Sequence, residues 1–209
     1  MSDYKIIELA SWPRKELFED YQKYAAACYN VSVKISAGRL YDYAKDNDES
    51  FFLLSLYAIL RAANQVEQLR RRVVDNVPLE FDRIAALTPV LGPDELFYQV
   101  WCDYCDTFAE FKATASPKIA AAKLGKALPL GEFSEDFICA SCLPWLHFES
   151  IAHAEMNFDQ TIPILSWGKL ENNLIPISIK VNHSLVDGLH ISRFFNNIQR
   201  SFDHPSVLF

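Results

Sequence analysis

The stretch LIPISIKVNHSLVDGLHISRFFNNIQ, residues 174–199, places a strand, a loop and a helix in direct succession. Ile175, Ile177, Ile179 and Val181 alternate with Pro176, Ser178, Lys180 and Asn182. That period of two is expected where successive side chains point to opposite faces of a sheet. Pro176 lies near the start of the run, where a missing amide donor is tolerated. The alternation ends at His183. Beyond Gly188, Ile191, Phe194, Phe195, Ile198 and Phe202 form a helical stripe. The residues between are a loop at a strand end, where a rigid scaffold presents functional groups.

Working outward, Arg14 to Tyr24 is helical in pattern, with Leu17, Phe18 and Tyr21 on one face, and Tyr29 to Ser36 is extended. Phe51 to Arg72 reads as one strong helix, apolar nearly all round in its first half and charged in its second. Short strands are expected from about Leu79 to Phe81 and from Leu96 to Cys102, then a helix over Asp106 to Ala115. The Ala-rich segment Lys118 to Lys126 is a loop or a short helix. Further strands are expected over Phe137 to Cys142 and Ser150 to Phe158. With no repeat, Gly/Ser linker or domain boundary, residues 1–209 read as a single domain. Its class is α+β: a two-layer sandwich of helices on a large, mostly antiparallel sheet.

Half the residues are hydrophobic and 13% aromatic, which supports a large core and argues against disorder. The net charge of −7, with Arg70-Arg71-Arg72 as a lone basic triplet, disfavours nucleic acid and anionic membrane partners. The N-terminal MSDYKIIELASW lacks a signal-peptide layout, and no run approaches the roughly 20 apolar residues of a membrane span. A soluble, cytoplasmic protein is expected. Cys102 and Cys105 form one CxxC pair, Cys139 and Cys142 another. Both lie in strand-like sequence, where residues i and i+3 point to opposite faces, so one ion could not take both. They read as small buried hydrophobes, with no metal site.

His183 is the natural general base, since imidazole titrates near neutral pH. Asp187 follows four residues later, beside Gly188. Taken alone, this His-x-x-x-Asp-Gly pattern favours a structural reading, with Asp187 beside a helix N-cap and His183 a satisfied loop histidine.

Other blocks extend the pattern. SWPRKELFEDY resembles the opening helix of the chloramphenicol acetyltransferase family, and AILRAANQVEQLRRR resembles its central helix. ASCLPWLHFES is similar to its Ser-x-Leu-Pro-Trp strand, and NHSLVDGLHISRFFNNIQ resembles its catalytic loop and final helix. The resemblance runs from about Ser11 to Gln199, in the family's order. It implies that His183 Nε2 takes the proton of an acceptor hydroxyl, the other ring nitrogen being held by the histidine's own carbonyl oxygen. It also implies that Ser141 hydrogen-bonds the oxyanion, with no covalent acyl-enzyme. Arg14 and Asp187 would tie the catalytic loop to the first helix. Acetyl-CoA would be a co-substrate, not a bound cofactor, with Trp145 walling its tunnel. The assembly would be a homotrimer, His183 coming from one subunit and most of the acceptor pocket from the next. Chloramphenicol is the family's default acceptor, and antibiotic resistance the associated role.

Tyr21, Tyr29 and Phe97 match acceptor-lining positions. His153 and Glu155 stand where the family carries aliphatic residues, on one face of the expected strand Ser150 to Phe158. Asp20, Ala25, Ala27 and Leu128 also depart, as does Asn182, where many members have a second histidine. These departures suggest a wider, more polar and more acidic acceptor site. A non-catalytic CoA-binding trimeric scaffold and the acyltransferase core of a 2-oxo-acid dehydrogenase complex are the competing readings. The latter lacks support from any lipoyl-type linker.

Overall fold

Alternation along Leu174–Asn182 builds the strand that organises the main sheet. In the computed structural model, residues 2–126, 134–154 and 160–209 are described. Their elements, in chain order, are β1 (Tyr4–Ile6), α1 (Lys15–Tyr21), β2 (Cys28–Ser36), α2 (Gly38–Asp46), α3 (Phe51–Asn64), β3 (Arg71–Val74), β4 (Val77–Phe81) and β5 (Ala85–Leu91). Then come β6 (Phe97–Cys102), α4 (Phe108–Lys123), β7 (Phe137–Leu143), β8 (Ile164–Gly168), β9 (Leu174–Asn182) and α5 (Gly188–Asp203). The large sheet has the order β2-β9-β8-β7-β5-β6, and a small one the order β1-β4-β3. In the large sheet β7 is parallel to both neighbours, and the other pairings are antiparallel. The fold is therefore the expected α+β sandwich.

Register assigns the two faces. Ile175, Ile177, Ile179 and Val181 of β9, Leu165 and Trp167 of β8, and Ile138 and Ala140 of β7 are buried against α2, α3, α4 and α5. The opposite, outer face is apolar at one side, where Ala85, Leu87 and Phe137 cluster with Trp101 and Cys139. At its other side it carries a row of serines. Ser141 is the register partner of Ser166, Ser166 of Ser178, and Ser178 of Ser32.

Several expectations need correction. The helix from Phe51 ends at Asn64, not Arg72. The Asn64 side chain bonds the Leu60 and Ile84 carbonyls and accepts from the Ile84 amide, pinning the chain there. A 3-10 turn, Glu67–Arg70, then leads into β3. Arg72 is fully buried, its guanidinium donating to the carbonyls of Leu69, Arg71, Glu135 and Phe137. The charged half of the expected helix is thus a 3-10 turn and the start of a strand, held by tertiary hydrogen bonds that local pattern does not record.

Most of the segments Asp106–Ala115 and Lys118–Lys126 falls in one helix, α4 (Phe108–Lys123). It opens with a capping box between Thr107 and Glu110 and continues through Pro117. Residues 150–154 form no strand. They cross the outer face, where the Ile151 carbonyl accepts from Ser178. The rest of that expected strand lies outside the described residues, and the strand in the sheet is β8.

Cys139 packs on the outer face and Cys142 on the helix-bearing one, whereas Cys105 lies beyond the end of β6. Among the described residues no group of three or more His, Cys, Asp or Glu could hold a metal ion, and no helix is long and apolar enough to cross a membrane.

Candidate active site

His183 follows the last residue of β9. Its amide donates to the Ala27 carbonyl at 2.9 Å, which fastens it to the start of β2. Asn182 braces the turn that follows. Its carbonyl accepts from the amides of Leu185 and Val186, and its Oδ1 from the amide of Ser184. Its amide nitrogen reaches the Gln160 carbonyl. Asn182 is thus a supporting residue, buried at 4% exposure, not a polar lining of an acceptor pocket.

Tyr21, from the end of α1, stacks on the His183 ring at 4.3 Å with an interplanar angle of 11°. Tyr29, from β2, lies against it at 4.7 Å and donates its hydroxyl to the Val186 carbonyl. Burial, and next the nearby Asp187 carboxylate, push the Tyr29 phenol up to about 12, so it stays a donor. The two tyrosines leave the imidazole little freedom to turn.

Arg14 clamps the loop. Its Nε donates to the Ser184 carbonyl at 2.8 Å and its Nη2 to the His183 carbonyl at 2.8 Å. Nη1 and Nη2 together grip the Asp187 carboxylate, the latter at 2.6 Å. Hydrogen bonding from Arg14 holds the Asp187 carboxyl below the ordinary carboxylate range, against the opposing effect of burial. The Asp187 amide donates to His190 Nδ1 at 2.8 Å, tying the loop to the first turn of α5.

One expected contact is absent. His183 Nδ1 makes no hydrogen bond to its own carbonyl or to any described group, while that carbonyl accepts from Arg14 Nη2. Asp187 Oδ1 stands 3.2 Å from Nδ1, out of line for a hydrogen bond. Orientation of the ring falls to the tyrosines and the adjacent carboxylate.

Ser141 lies on the outer face of β7, half-buried, and its hydroxyl has no partner among the described residues. Cys142 points the other way into the core, where burial pushes its thiol up to about 12. Ser141 and His183 are far apart within the chain. Ser141 aligns with Ser166 and then with Ser178, two strands away, and His183 stands five residues beyond Ser178 along β9. At about 3.3 Å per residue and 4.8 Å per strand, roughly 19 Å separate them.

The remaining expected site residues divide. Phe97 and His153 lie on the outer face with Ser141, Phe97 exposed on the edge strand β6 at the far side from β2. Glu155 and Leu128 fall outside the described residues. Asp20 is exposed and paired with Lys23. Trp145 is exposed on the turn after β7. A cleft of about 540 Å³ opens beside that turn, lined by Phe52, Cys142, Pro144, Trp167, Gly168 and Lys169.

A family model described as "CAT: Chloramphenicol acetyltransferase" matches residues 2–199. The chain belongs to the chloramphenicol acetyltransferase family. It is an acyltransferase. Among curated relatives it is 27% identical over 205 residues to chloramphenicol acetyltransferase 2 of Haemophilus influenzae, covering 95% of this chain and 96% of that one. A solved chloramphenicol acetyltransferase superposes with a TM-score of 0.83 at 26% identity, covering 100% and 99% of the two chains. The dihydrolipoamide acetyltransferase of Azotobacter vinelandii, with a TM-score of 0.67 at 12% identity over 98% and 95%, shares the fold alone. The family match favours the first of the two enzyme readings.

Two features of the site were not legible. Asn182 stood out only as a departure from the family, and its bracing role depends on Gln160 from another segment. The serine row needs the strand register, which alternation alone does not supply.

Proposed function

We propose that the protein transfers the acetyl group of acetyl-CoA to a hydroxyl of chloramphenicol or a related small alcohol, in sites completed by two copies of the chain. The observation that carries this is the separation of His183 from Ser141, both with unbonded polar atoms. At about 19 Å they cannot serve one reacting carbon within a chain. A homotrimer, in which His183 meets Ser141 of a neighbour, resolves the conflict.

In such a site His183 Nε2 accepts the proton of the acceptor hydroxyl as its oxygen attacks the thioester carbonyl. The oxyanion accepts a hydrogen bond from Ser141 Oγ. Collapse expels CoA thiolate, which takes the proton back from His183, leaving the acetyl ester and CoA. No acyl-enzyme forms. A positioned base contributes roughly 10²–10⁴-fold, and an oxyanion donor roughly 10²–10³-fold. The cleft bounded by Pro144, next to Trp145, takes the donor. Tyr21, Tyr29, Phe97 and His153 line the acceptor site. Lys23 pairs with Asp20 and offsets its charge, and chloramphenicol stays the first acceptor. Drug resistance in a cytoplasmic setting follows from that activity.

Complementation tests the reading. His183→Ala and Ser141→Ala variants should each keep about a hundredth of the activity or less. Refolded together at equal concentration, random mixing restores about a quarter of the sites, since a quarter draw both groups from intact positions. CoA-thiol release with chloramphenicol reports it. Mixtures as inactive as the single variants would reject the two-copy site, and a wild type with no release would reject the acceptor class.

A further inference from the structure

The unbonded Nδ1 of His183 leaves its tautomer to be set from outside the ring. Nε2 accepts a proton in the neutral ring only while Nδ1 carries the other. Beside Nδ1 stands the Asp187 carboxylate, with Oδ1 at 3.2 Å. At that distance an anion favours a proton on Nδ1 over a lone pair, even without hydrogen-bond alignment. The useful tautomer therefore depends on where the Asp187 carboxylate stands.

Two anchors set that position. Arg14 grips the carboxylate itself. His190, the third residue of α5, grips the backbone behind it. The Asp187 amide donates to His190 Nδ1 at 2.8 Å, and the His190 amide donates to the Asp187 carbonyl at 2.9 Å. The imidazole occupies the place that Glu or Gln takes in a capping box. Little else holds this first turn: the place of a Cβ at Gly188 has nothing within 4 Å, and Leu189 is 61% exposed.

A backbone amide only donates, so His190 must be neutral, with Nδ1 bare and the proton on Nε2. Its surroundings favour that state. Burial comes first; the Asp187 carboxylate opposes it, but Arg14, Arg193 on α5 and Arg71 on β3 add to it and hold His190 below the ordinary histidine value. Arg71 is itself paired with Glu67 and Glu80. Protonation of Nδ1 would set one N–H against another and release the Asp187 amide. We propose that His190 is a positioning residue for the transfer: it holds the Asp187 backbone so that the carboxylate stands beside His183 and keeps the base in the tautomer that accepts at Nε2. This rests on the reading that His183 is the base.

The first test is ¹⁵N NMR of histidine-labelled protein without substrate. Expected are a His190 protonated at Nε2 and titrating below about 6.5, and a His183 protonated at Nδ1. In His190→Leu the His183 ring becomes a mixture of tautomers. In His190→Gln, whose Oε1 takes the amide proton, it stays as in the wild type. A proton on His190 Nδ1 at neutral pH, or a His183 tautomer unmoved by His190→Leu, would overturn the proposal. Chloramphenicol acetylation supplies the second test. His190→Leu loses about tenfold in kcat, a fraction of the roughly 10²-fold that a 1 Å displacement can cost, and His190→Gln regains most of it. KM for both substrates stays within about twofold, since ground-state binding is untouched. The ratio of wild-type to His190→Gln activity is level above about pH 6.5 and falls as acid protonates His190, because glutamine does not titrate. A loss confined to KM, or a ratio that stays level while His190 titrates by NMR, would sink the idea. A wild type that transfers nothing would instead defeat the function reading, and the His183 tautomer in His190→Leu would still decide the role of His190.

Discussion

Arg14 offers the sharpest test of how the loop is held. Its guanidinium makes two bonds to loop carbonyls and grips Asp187 with two nitrogens. Hydrogen bonds to charged groups contribute about 1.5–3 kcal/mol each when buried. The Asp187 side chain is 34% exposed and Arg14 only 12%, so water can replace part of the ion pair but little of the carbonyl contacts. Arg14→Ala strands two carbonyls and a carboxylate, and a loss of about 3–5 kcal/mol is expected. Asp187→Ala leaves the carbonyl contacts in place and costs about 2–3 kcal/mol. Arg14→Lys keeps the charge but not the fork, for a loss of about 1–2 kcal/mol. The assays are urea unfolding and kcat for chloramphenicol acetylation. In Arg14→Ala a displacement of the imidazole by about 1 Å lowers kcat roughly 10²-fold. Stability within about 0.5 kcal/mol of wild type, or an unchanged kcat, would refute the clamp. So would an Asp187→Ala variant more damaged than Arg14→Ala.

Acid should loosen the same loop. The Asp187 carboxyl is depressed in the folded protein, so its contribution is complete above the unfolded value near about 4 and fades as pH falls through the lower folded value. The stability gap between wild type and Asp187→Asn, from unfolding curves at several pH values, should be flat above about pH 5 and narrow below. Removing the base in His183→Ala should lower kcat by roughly 10²–10⁴, and Ser141→Ala by roughly 10²–10³, with little change in unfolding midpoint because both side chains are partly exposed. At Gly168 an added Cβ would overlap the Leu146 carbonyl oxygen and Pro176. Gly168→Ala should therefore shift the turn bearing Trp145, raise KM for acetyl-CoA, and cost about 1–3 kcal/mol in thermal unfolding.

The strand and helix flanking His183 were readable because each buries one face and leaves a period. β8 was not. Ile164, Leu165, Ser166 and Trp167 are covered on both sides, so no alternation survives to mark a strand. The overrun of the long helix has a similar cause. Val66 and Leu69 keep helical spacing past Asn64, and Arg71 and Arg72 imitate a solvated face, while the partners that bury them come from distant segments. The Arg14–Asp187 pair spans 173 positions, beyond any local pattern, and only the family resemblance indicated it. The same resemblance implied a hydrogen bond from His183 Nδ1 to the residue's own carbonyl, and Nδ1 instead stands unbonded beside the Asp187 carboxylate.

The distance between Ser141 and His183 also bears on how activity appears after synthesis or renaturation. On the two-copy reading a chain regains its sheet by a first-order process but gains catalysis only on meeting another. Recovery of ellipticity would be independent of concentration, whereas recovery of acetyl transfer would show a lag that shortens as protein is added. Dilution would then silence the enzyme without unfolding it.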